Sequence, residues 1–285
     1  MAKLSLPFAS PALPVPTEGV AVVTGASSGI GAATAAALAQ LKSGNFHVIG
    51  PTRNPANVVD PFPDVEYLAL DLKDPASIAT FAEEVLQRGK PSVLVNNAGE
   101  SQSGPLEELP REALERLFQI NVIGHIELTQ RLLPTMRTAG RGRIVMVGSM
   151  LGSFPLAYRS SYVASKAAIK GFAFSSRREL RPFGIGMSVM EPGSINTGLS
   201  ARRSKYVDPQ GPYGDEFQTM LSKLDRNEAT GISAERVAEE ILKAITDERP
   251  RPLYAAGSNA QLVFPLARVL PSEALHGLIN RKHGL

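Results

Sequence analysis

The stretch "VAVVTGASSGIG", residues 20–31, decides the fold. Four small or β-branched apolar residues read as a strand. Glycines at 25, 29 and 31 follow at once and lead into a helical pattern over Ile30–Leu41. Gly25 can take a turn conformation barred to other residues, Gly29 lets the backbone approach a pyrophosphate, and Gly31 lets the helix pack close to the sheet. The start of that helix then offers free N–H groups and a partial positive charge to phosphate oxygens. A tight strand-to-helix turn needs glycine for its own sake, so three glycines alone say little. Their spacing is G-x-x-x-G-x-G rather than G-x-G-x-x-G, and the strand–turn–helix context is what points to a dinucleotide site.

Working outward, short apolar runs alternate with longer helical patterns. Strands are expected at Val20–Val23, His47–Gly50, Glu66–Leu70, Ser92–Val95, Arg143–Val147, Met187–Met190 and Pro252–Ala256. Between them the periodicity predicts helices over Ile30–Leu41, Pro75–Arg88, Arg111–Thr138, Ser160–Arg181 and Ala234–Thr246. Near-continuous apolar strands suit a parallel sheet covered on both faces. The expectation is therefore an α/β protein with one doubly wound, seven-stranded parallel sheet (a Rossmann fold) in a single domain, residues 18–285. Residues 1–17, with Pro7, Pro11, Pro14 and Pro16, read as a loose Pro-rich lead-in rather than a signal peptide. Leu199–Gly231 breaks the rhythm, and a connection of that length suggests a substrate loop or lid. Within it Phe217, Met220, Leu221 and Leu224 share one helical face, fit either to pack on the core or to cover an apolar substrate.

Bulk composition narrows the function. The 285 residues carry a net charge of +3 with only short basic pairs, Arg177–Arg178 and Arg202–Arg203, which does not make a nucleic-acid surface. No cysteine is present, which excludes disulfides, thiolate catalysis and Cys-ligated zinc and is compatible with a reducing cytoplasm. No apolar run approaches the roughly 18 residues a membrane helix needs. Histidines 47, 125, 276 and 283 have no metal-ligand spacing, so no metal is expected.

Two further stretches carry chemistry. After the second strand comes "PTRN", Pro51–Asn54, where an NAD site would place an acid for the ribose 2′-OH. Thr52 and Arg53 stand there instead, and Arg53, helped by Ser27, Ser28 and Asn54, suits the 2′-phosphate of NADP(H). Pro51 restricts the backbone just before it. In "YRSSYVASK", Tyr158–Lys166, Tyr162 and Lys166 stand four apart on one helical face, and a nearby ammonium draws a phenol toward the working range. Tyr158 lacks such a partner. Ser149, at the end of the fifth strand, reaches the carboxyl edge of the sheet, where its hydroxyl can bind a substrate oxygen.

Taken in order, the chain resembles the short-chain dehydrogenase/reductase family. The motifs are T-G-x-x-x-G-x-G at Thr24–Gly31, "LDL" at Leu70–Leu72, "NNAG" at Asn96–Gly99 and "INVIG" at Ile120–Gly124. They continue with "GS" at Gly148–Ser149, "YVASK" at Tyr162–Lys166 and "PGSINT" at Pro192–Thr197. The resemblance covers about residues 18–198 and implies a catalytic tetrad of Asn121, Ser149, Tyr162 and Lys166. In it Tyr162 exchanges the proton and Ser149 binds the carbonyl oxygen. Lys166 holds the nicotinamide ribose and tunes the phenol, and Asn121 supports a water leading to Lys166. It further implies that Gly25, Ser27, Ser28, Gly29, Ile30 and Gly31 hold the cofactor together with Arg53, Asp71, Leu72, Asn97, Ala98 and Gly99. Pro192, Gly193, Ile195 and Thr197 complete that set, the last two at the carboxamide, and Asp71 resembles the acid beside adenine. Gly148 replaces a serine common in the family. The expected activity is NADPH-dependent reduction of an apolar ketone or aldehyde, reversible as alcohol oxidation, by a cytoplasmic homodimer or homotetramer. An NAD-linked secondary-alcohol dehydrogenase and a silent NADP(H) sensor are the alternatives.

Overall fold

The computed structural model describes residues 11–198 and 200–285. The elements run β1 (Glu18–Val23), α1 (Gly29–Ala39), β2 (Asn45–Ile49), β3 (Val65–Glu66), α2 (Pro75–Arg88) and β4 (Pro91–Asn96). Then come β5 (Gln102–Ser103), α3 (Arg111–Phe118), α4 (Gly124–Ala139), β6 (Gly142–Val147), α5 (Ser160–Leu180) and β7 (Ile185–Pro192). The chain ends with β8 (Ser204–Lys205), α6 (Gly214–Ala229), α7 (Ala234–Thr246), β9 (Leu253–Ala256), α8 (Ala260–Leu266) and α9 (Ser272–Lys282). Seven strands form one sheet in the order β3-β2-β1-β4-β6-β7-β9, every neighbouring pair parallel. It is the doubly wound sheet the strand pattern predicts.

Alternation along each strand supplies both layers. Val20 and Val22 of β1, Leu94 of β4 and Ile144 and Met146 of β6 pack against α2, α4 and α5 through Phe81, Leu128, Leu132 and Ile169. Ala21, Val23, Val93, Val95, Val145 and Val147 point the other way, onto Leu38 of α1 and Val237 and Ile241 of α7. Local caps set helix starts: Asp74 accepts from Ala76 N with Pro75 in the first turn of α2, and Ser233 accepts from Arg236 N for α7. The chain winds outward in one direction from β1 and in the other from β4. A crevice therefore opens between the carboxyl ends of those two strands, the place such sheets use for ligands.

The structure departs from the sequence pattern in several places: the strand expected over Glu66–Leu70 is only Val65–Glu66, and β5 pairs with β8 in a small second sheet that was not expected. The helix expected over Arg111–Thr138 is interrupted: residues Gln119–Ile123 form a π turn, closed by Gly124 N donating to Gln119 O, five residues back. No element was expected beyond β9, yet α8 and α9 are there, laid over Met150 and Phe154 by Val263, Phe264, Leu275 and Ile279. Of the Pro-rich lead-in, the described part is tied down. Leu13 is buried and its N–H donates to Glu248 O, and the Arg143 guanidinium donates to the carbonyls of Leu13 and Pro14. Residues 1–10 lie outside the described residues.

Candidate active site

The glycine turn and the end of β4 are laced together across the crevice. Thr24 Oγ1 accepts from Asn97 N (2.8 Å) and Ala98 N (3.0 Å), and Asn97 Nδ2 donates back to Thr24 O (2.8 Å). Gly25 and Gly29 hold φ values of +72° and +54°, left-handed conformations that favour glycine. Gly31 has no left-handed φ; it is glycine for space, because a Cβ there would come within 2.6 Å of Asn97 Nδ2 and of the Gly25 carbonyl carbon. Ser28 begins α1 without a side-chain cap and no acid occupies the first turn, so the leading N–H groups stay open to an anion. These residues fit a dinucleotide pyrophosphate.

A cavity of about 500 Å³ runs from this turn along the carboxyl edge of the sheet. Every residue assigned to cofactor or catalysis from the sequence lines it, except Gly31, Asn121 and Asn54, whose side chain instead accepts from Ala56 N. Gly31 lies behind the turn as just described, and Asn121 stands behind Gly99. Thr52 is clamped into the sheet by its N–H to Leu68 O and by Leu70 N to its own carbonyl, both 2.9 Å. Despite Pro51, that clamp leaves Arg53 exposed along the cavity with Ser27, Ser28 and Asp71. Asp71 accepts from Lys73 N (2.9 Å). Arg202, which the sequence reading passed over, also reaches the cavity, its Nη1 3.5 Å from Ser28 Oγ.

At the other end Tyr162, Lys166 and Ser149 converge. Lys166 is buried, donates to Val147 O (2.9 Å), and lies 5.8 Å from the centre of the Tyr162 ring. Burial pulls its ammonium down to about 8. Burial pushes the Tyr162 phenol up, against the opposing charge of Arg159 and a hydrogen bond with Ser149. Asn121 sits in the π turn, where the slipped register turns it toward β4 and α5. Its amide donates to Glu100 O (3.0 Å) and Ser165 Oγ (3.2 Å) and its oxygen accepts from Glu100 N (2.8 Å). Ser165 in turn donates to Tyr162 O (2.8 Å), so Asn121 fastens α5 at the tyrosine. A Cβ on Gly99 would lie 3.1 Å from Asn121 Oδ1 and 3.6 Å from Lys166 Nζ, so both groups meet behind that glycine.

Tyr158 faces elsewhere. Its hydroxyl donates to Glu216 Oε1 (2.8 Å) and its ring packs edge-on against Tyr213 and Phe217. Burial, with the Glu216 carboxylate, pushes its phenol up to about 12. Tyr158 thus packs locally and does not line the cavity. The substrate end of the cavity is apolar, lined by Met150, Leu151, Phe154, Leu224, Val263 and Ile279. The α6 face packs on the core, Phe217, Met220 and Leu221 lying on Leu156, and Leu224 also lines the cavity. His125 bonds Asn96 and Ala98, His283 bonds Ile279, and His47 pairs with Glu66.

The residue sequence reasoning missed is Arg159. It is 2% exposed and its guanidinium lies 4.4 Å from the centre of the Tyr162 ring. The only signal for it was spacing, since a residue three before Tyr162 at the start of a helix shares its face.

This sheet, crevice and residue set are those of a dinucleotide-binding oxidoreductase, and the chain belongs to the short-chain dehydrogenase family, whose model matches residues 19–207. Among curated relatives, the 3-ketodihydrosphingosine reductase of Bacteroides thetaiotaomicron is 29% identical over 249 residues, 86% of this chain and 90% of that protein. A short-chain dehydrogenase from Streptomyces avermitilis superposes with a TM-score of 0.77 at 34% identity, covering 88% of this chain and 93% of that one. A metagenomic short-chain oxidoreductase solved in complex with NADP gives 0.65 at 27% identity, covering 85% and 97%. No helix among the described residues is long and apolar enough to cross a membrane.

Proposed function

We propose that the protein is an NADP(H)-dependent carbonyl reductase that converts an apolar ketone or aldehyde to its alcohol, reversibly, in the cytoplasm. The observation that carries this reading is one continuous cavity with a phosphate cradle and Arg53 at one end, Tyr162, Lys166 and Ser149 further along, and apolar walls beyond. The nicotinamide, when bound, supplies the hydride. Tyr162 gives its phenolic proton to the carbonyl oxygen, and Ser149 Oγ donates a hydrogen bond to that same oxygen as charge develops on it. Lys166 spends one of its three donors on Val147 O and keeps two for ribose hydroxyls. Asn121 holds the tyrosine's helix in place.

Arg53 supports NADP(H) over NAD(H), as does the carboxylate missing from position 52, and an NADP complex exists for one of the structural relatives. The apolar end and the ketone named for the Bacteroides relative support a long or bulky aliphatic substrate. In this reading the expected lid, of which Leu199 lies outside the described residues, covers the substrate through residues 200–231, α6 laying Leu224 and Glu228 on the cavity. The α4–α5 layer exposes Ile123, Phe172 and Phe174, which supports a homodimer or homotetramer. The test is nicotinamide absorbance with a panel of long-chain ketones, aldehydes and alcohols, using NADPH, NADH and their oxidised forms. Carbonyl reduction with NADPH is expected, and a panel without turnover sinks the reading.

A further inference from the structure

Two arginines are buried beside Tyr162, and their surroundings differ. The Arg203 side chain is fully buried but clamped between Asp225 and Glu228 of α6, each 2.5 Å away. Arg159 is as deeply buried, yet among the described residues no carboxylate forms an ion pair with it. Its donors go to neutral oxygens: Nη1 to Gln102 O (3.0 Å) and Ser103 Oγ (2.8 Å), Nη2 to Ser101 Oγ (3.0 Å). Its Nε is buried with no partner among the described residues. What the guanidinium faces is the ring of Tyr162, 4.4 Å from its centre. The chain also bends to place it, since Tyr158, just before, holds a φ of +63°, an outlier for a bulky residue.

An uncompensated buried cation costs stability, and an apolar side chain of similar length would fill the same space without that cost. The neutral oxygens of residues 101–103 do not require a charge. A phenolate does. We propose that Arg159 is a positioning residue for Tyr162, supplying a second positive charge that, with Lys166, holds the phenolate form during proton exchange. The proposal rests on Tyr162 being the proton-exchanging group. In reduction the phenol O–H bond breaks, its proton joins the carbonyl oxygen, and the negative charge left on the phenolate is shared by a ring whose face the guanidinium covers. In oxidation the same phenolate takes the alcohol proton.

Other charged groups face this pair from each packed element. Lys166 comes from α5 itself, Arg203 from just before β8, and Asp225 and Glu228 from α6. Glu100, ion-paired to Arg116, comes from the loop after β4. His125 of α4, beyond Lys166, is kept neutral, because burial lowers it to about 4. Among the causes acting on the Tyr162 phenol, Arg159 stands first of those favouring its ionised form, and burial holds the guanidinium itself only down to about 10, so it stays charged at neutral pH.

The experiment compares Arg159→Gln, which keeps donors without charge, with Arg159→Lys, which keeps charge. Each is read two ways: the pH profile of alcohol oxidation, and ultraviolet titration of tyrosinate in cofactor-free enzyme. Pairing each variant with its Tyr162→Phe double isolates one of the six tyrosines. Arg159→Gln is expected to lose oxidation on the order of tenfold at pH 7 and to recover it as pH rises, with the tyrosinate transition moved upward and the KM for the dinucleotide unchanged. Arg159→Lys is expected to stay near wild type in both. A Gln variant that titrates like wild type overturns the proposal and leaves Arg159 as a pin for residues 101–103. So does a Lys variant that titrates with a raised phenol, which keeps the test decisive if the Gln variant does not fold. If no substrate turns over, the function reading fails while the titration still judges Arg159.

Discussion

Replacing Gly31 by alanine tests whether the turn after β1 is built to hold phosphate at a fixed distance. The added Cβ would sit 2.6 Å from Asn97 Nδ2 and from the Gly25 carbonyl carbon, and closer still to the Gly25 oxygen. Ordinary contact begins at 3.4 Å, so the start of α1 must withdraw by at least about 0.8 Å to clear the two contacts at 2.6 Å, and further to clear the Gly25 oxygen. Neither neighbour can yield cheaply. One is backbone, and the other is the amide that ties Thr24 O to β4. Overpacking of this kind costs about 1–3 kcal/mol of folding stability. Withdrawing the open N–H groups of α1 also costs a charge-assisted hydrogen bond to the ligand, about 1.5–3 kcal/mol, which is roughly a ten- to hundredfold rise in dinucleotide Kd. Thermal unfolding without ligand reads the first cost, and quenching or enhancement of bound NADPH fluorescence reads the second. Gly31→Ala with wild-type melting and wild-type Kd would refute the argument, since a backbone clash of this size cannot be absorbed silently.

Three other outcomes follow from the geometry. Tyr162→Phe should lower turnover about 10²–10⁴-fold, whereas Tyr158→Phe, which loses only the bond to Glu216, should act on KM; steady-state kinetics of both variants decides, and an inactive Tyr158→Phe beside an active Tyr162→Phe reverses the assignment. Arg53→Ala should raise the KM for NADPH roughly ten- to hundredfold and leave NADH unchanged, with Thr52→Asp reversing the preference; equal affinity of the wild type for NADH and NADPH counts against the NADP reading. His125 is buried and neutral, with its ionisation lowered from 6.5 to about 4, so unfolded chains bind its proton first as pH falls. The stability it contributes is complete above pH 6.5 and is lost toward pH 4, by about 3 kcal/mol; denaturant midpoints at pH 7 and 4.5 should diverge more in the wild type than in His125→Gln.

The strands were legible because both faces of the sheet are covered, which forces runs such as Val20–Val23 and Val93–Val95 to be apolar throughout. The starts of α2 and α7 fall where the periodicity placed them, at Pro75 and Ala234, because Asp74 and Ser233 cap them there. A π turn leaves no such mark. Apolar spacing over Arg111–Thr138 stays helical on average while a one-residue slip at Gln119–Ile123 turns Asn121 inward, so a periodicity argument sees one helix. The two C-terminal helices escaped for another reason. None of the residues of α9 is fully buried, and Leu275 and Ile279 face a cavity, so the contrast between an inner and an outer face that marks a helix in sequence is weak there.

Charge was the least legible property, because a sequence gives its sign and not its surroundings. Arg143 and Arg159 look like any surface arginine in the string of letters. Arg143 is instead buried against the carbonyls of Leu13, Pro14, Gly142 and Asp247, so it secures a lead-in whose prolines have no N–H to offer but whose carbonyls remain free to accept. Arg159 is buried against the Tyr162 ring with no carboxylate paired to it among the described residues. The Tyr–Lys spacing singled out Tyr162, which lines the cavity, over Tyr158, which bonds Glu216, yet it credited the tuning of the phenol to Lys166 alone. In the fold Lys166 spends a donor on Val147 O with its own charge weakened by burial, while the guanidinium lies nearer the ring. A buried cation 4.4 Å from the centre of a phenol ring bears on the pH at which that phenol ionises, whatever occupies the apolar end of the cavity.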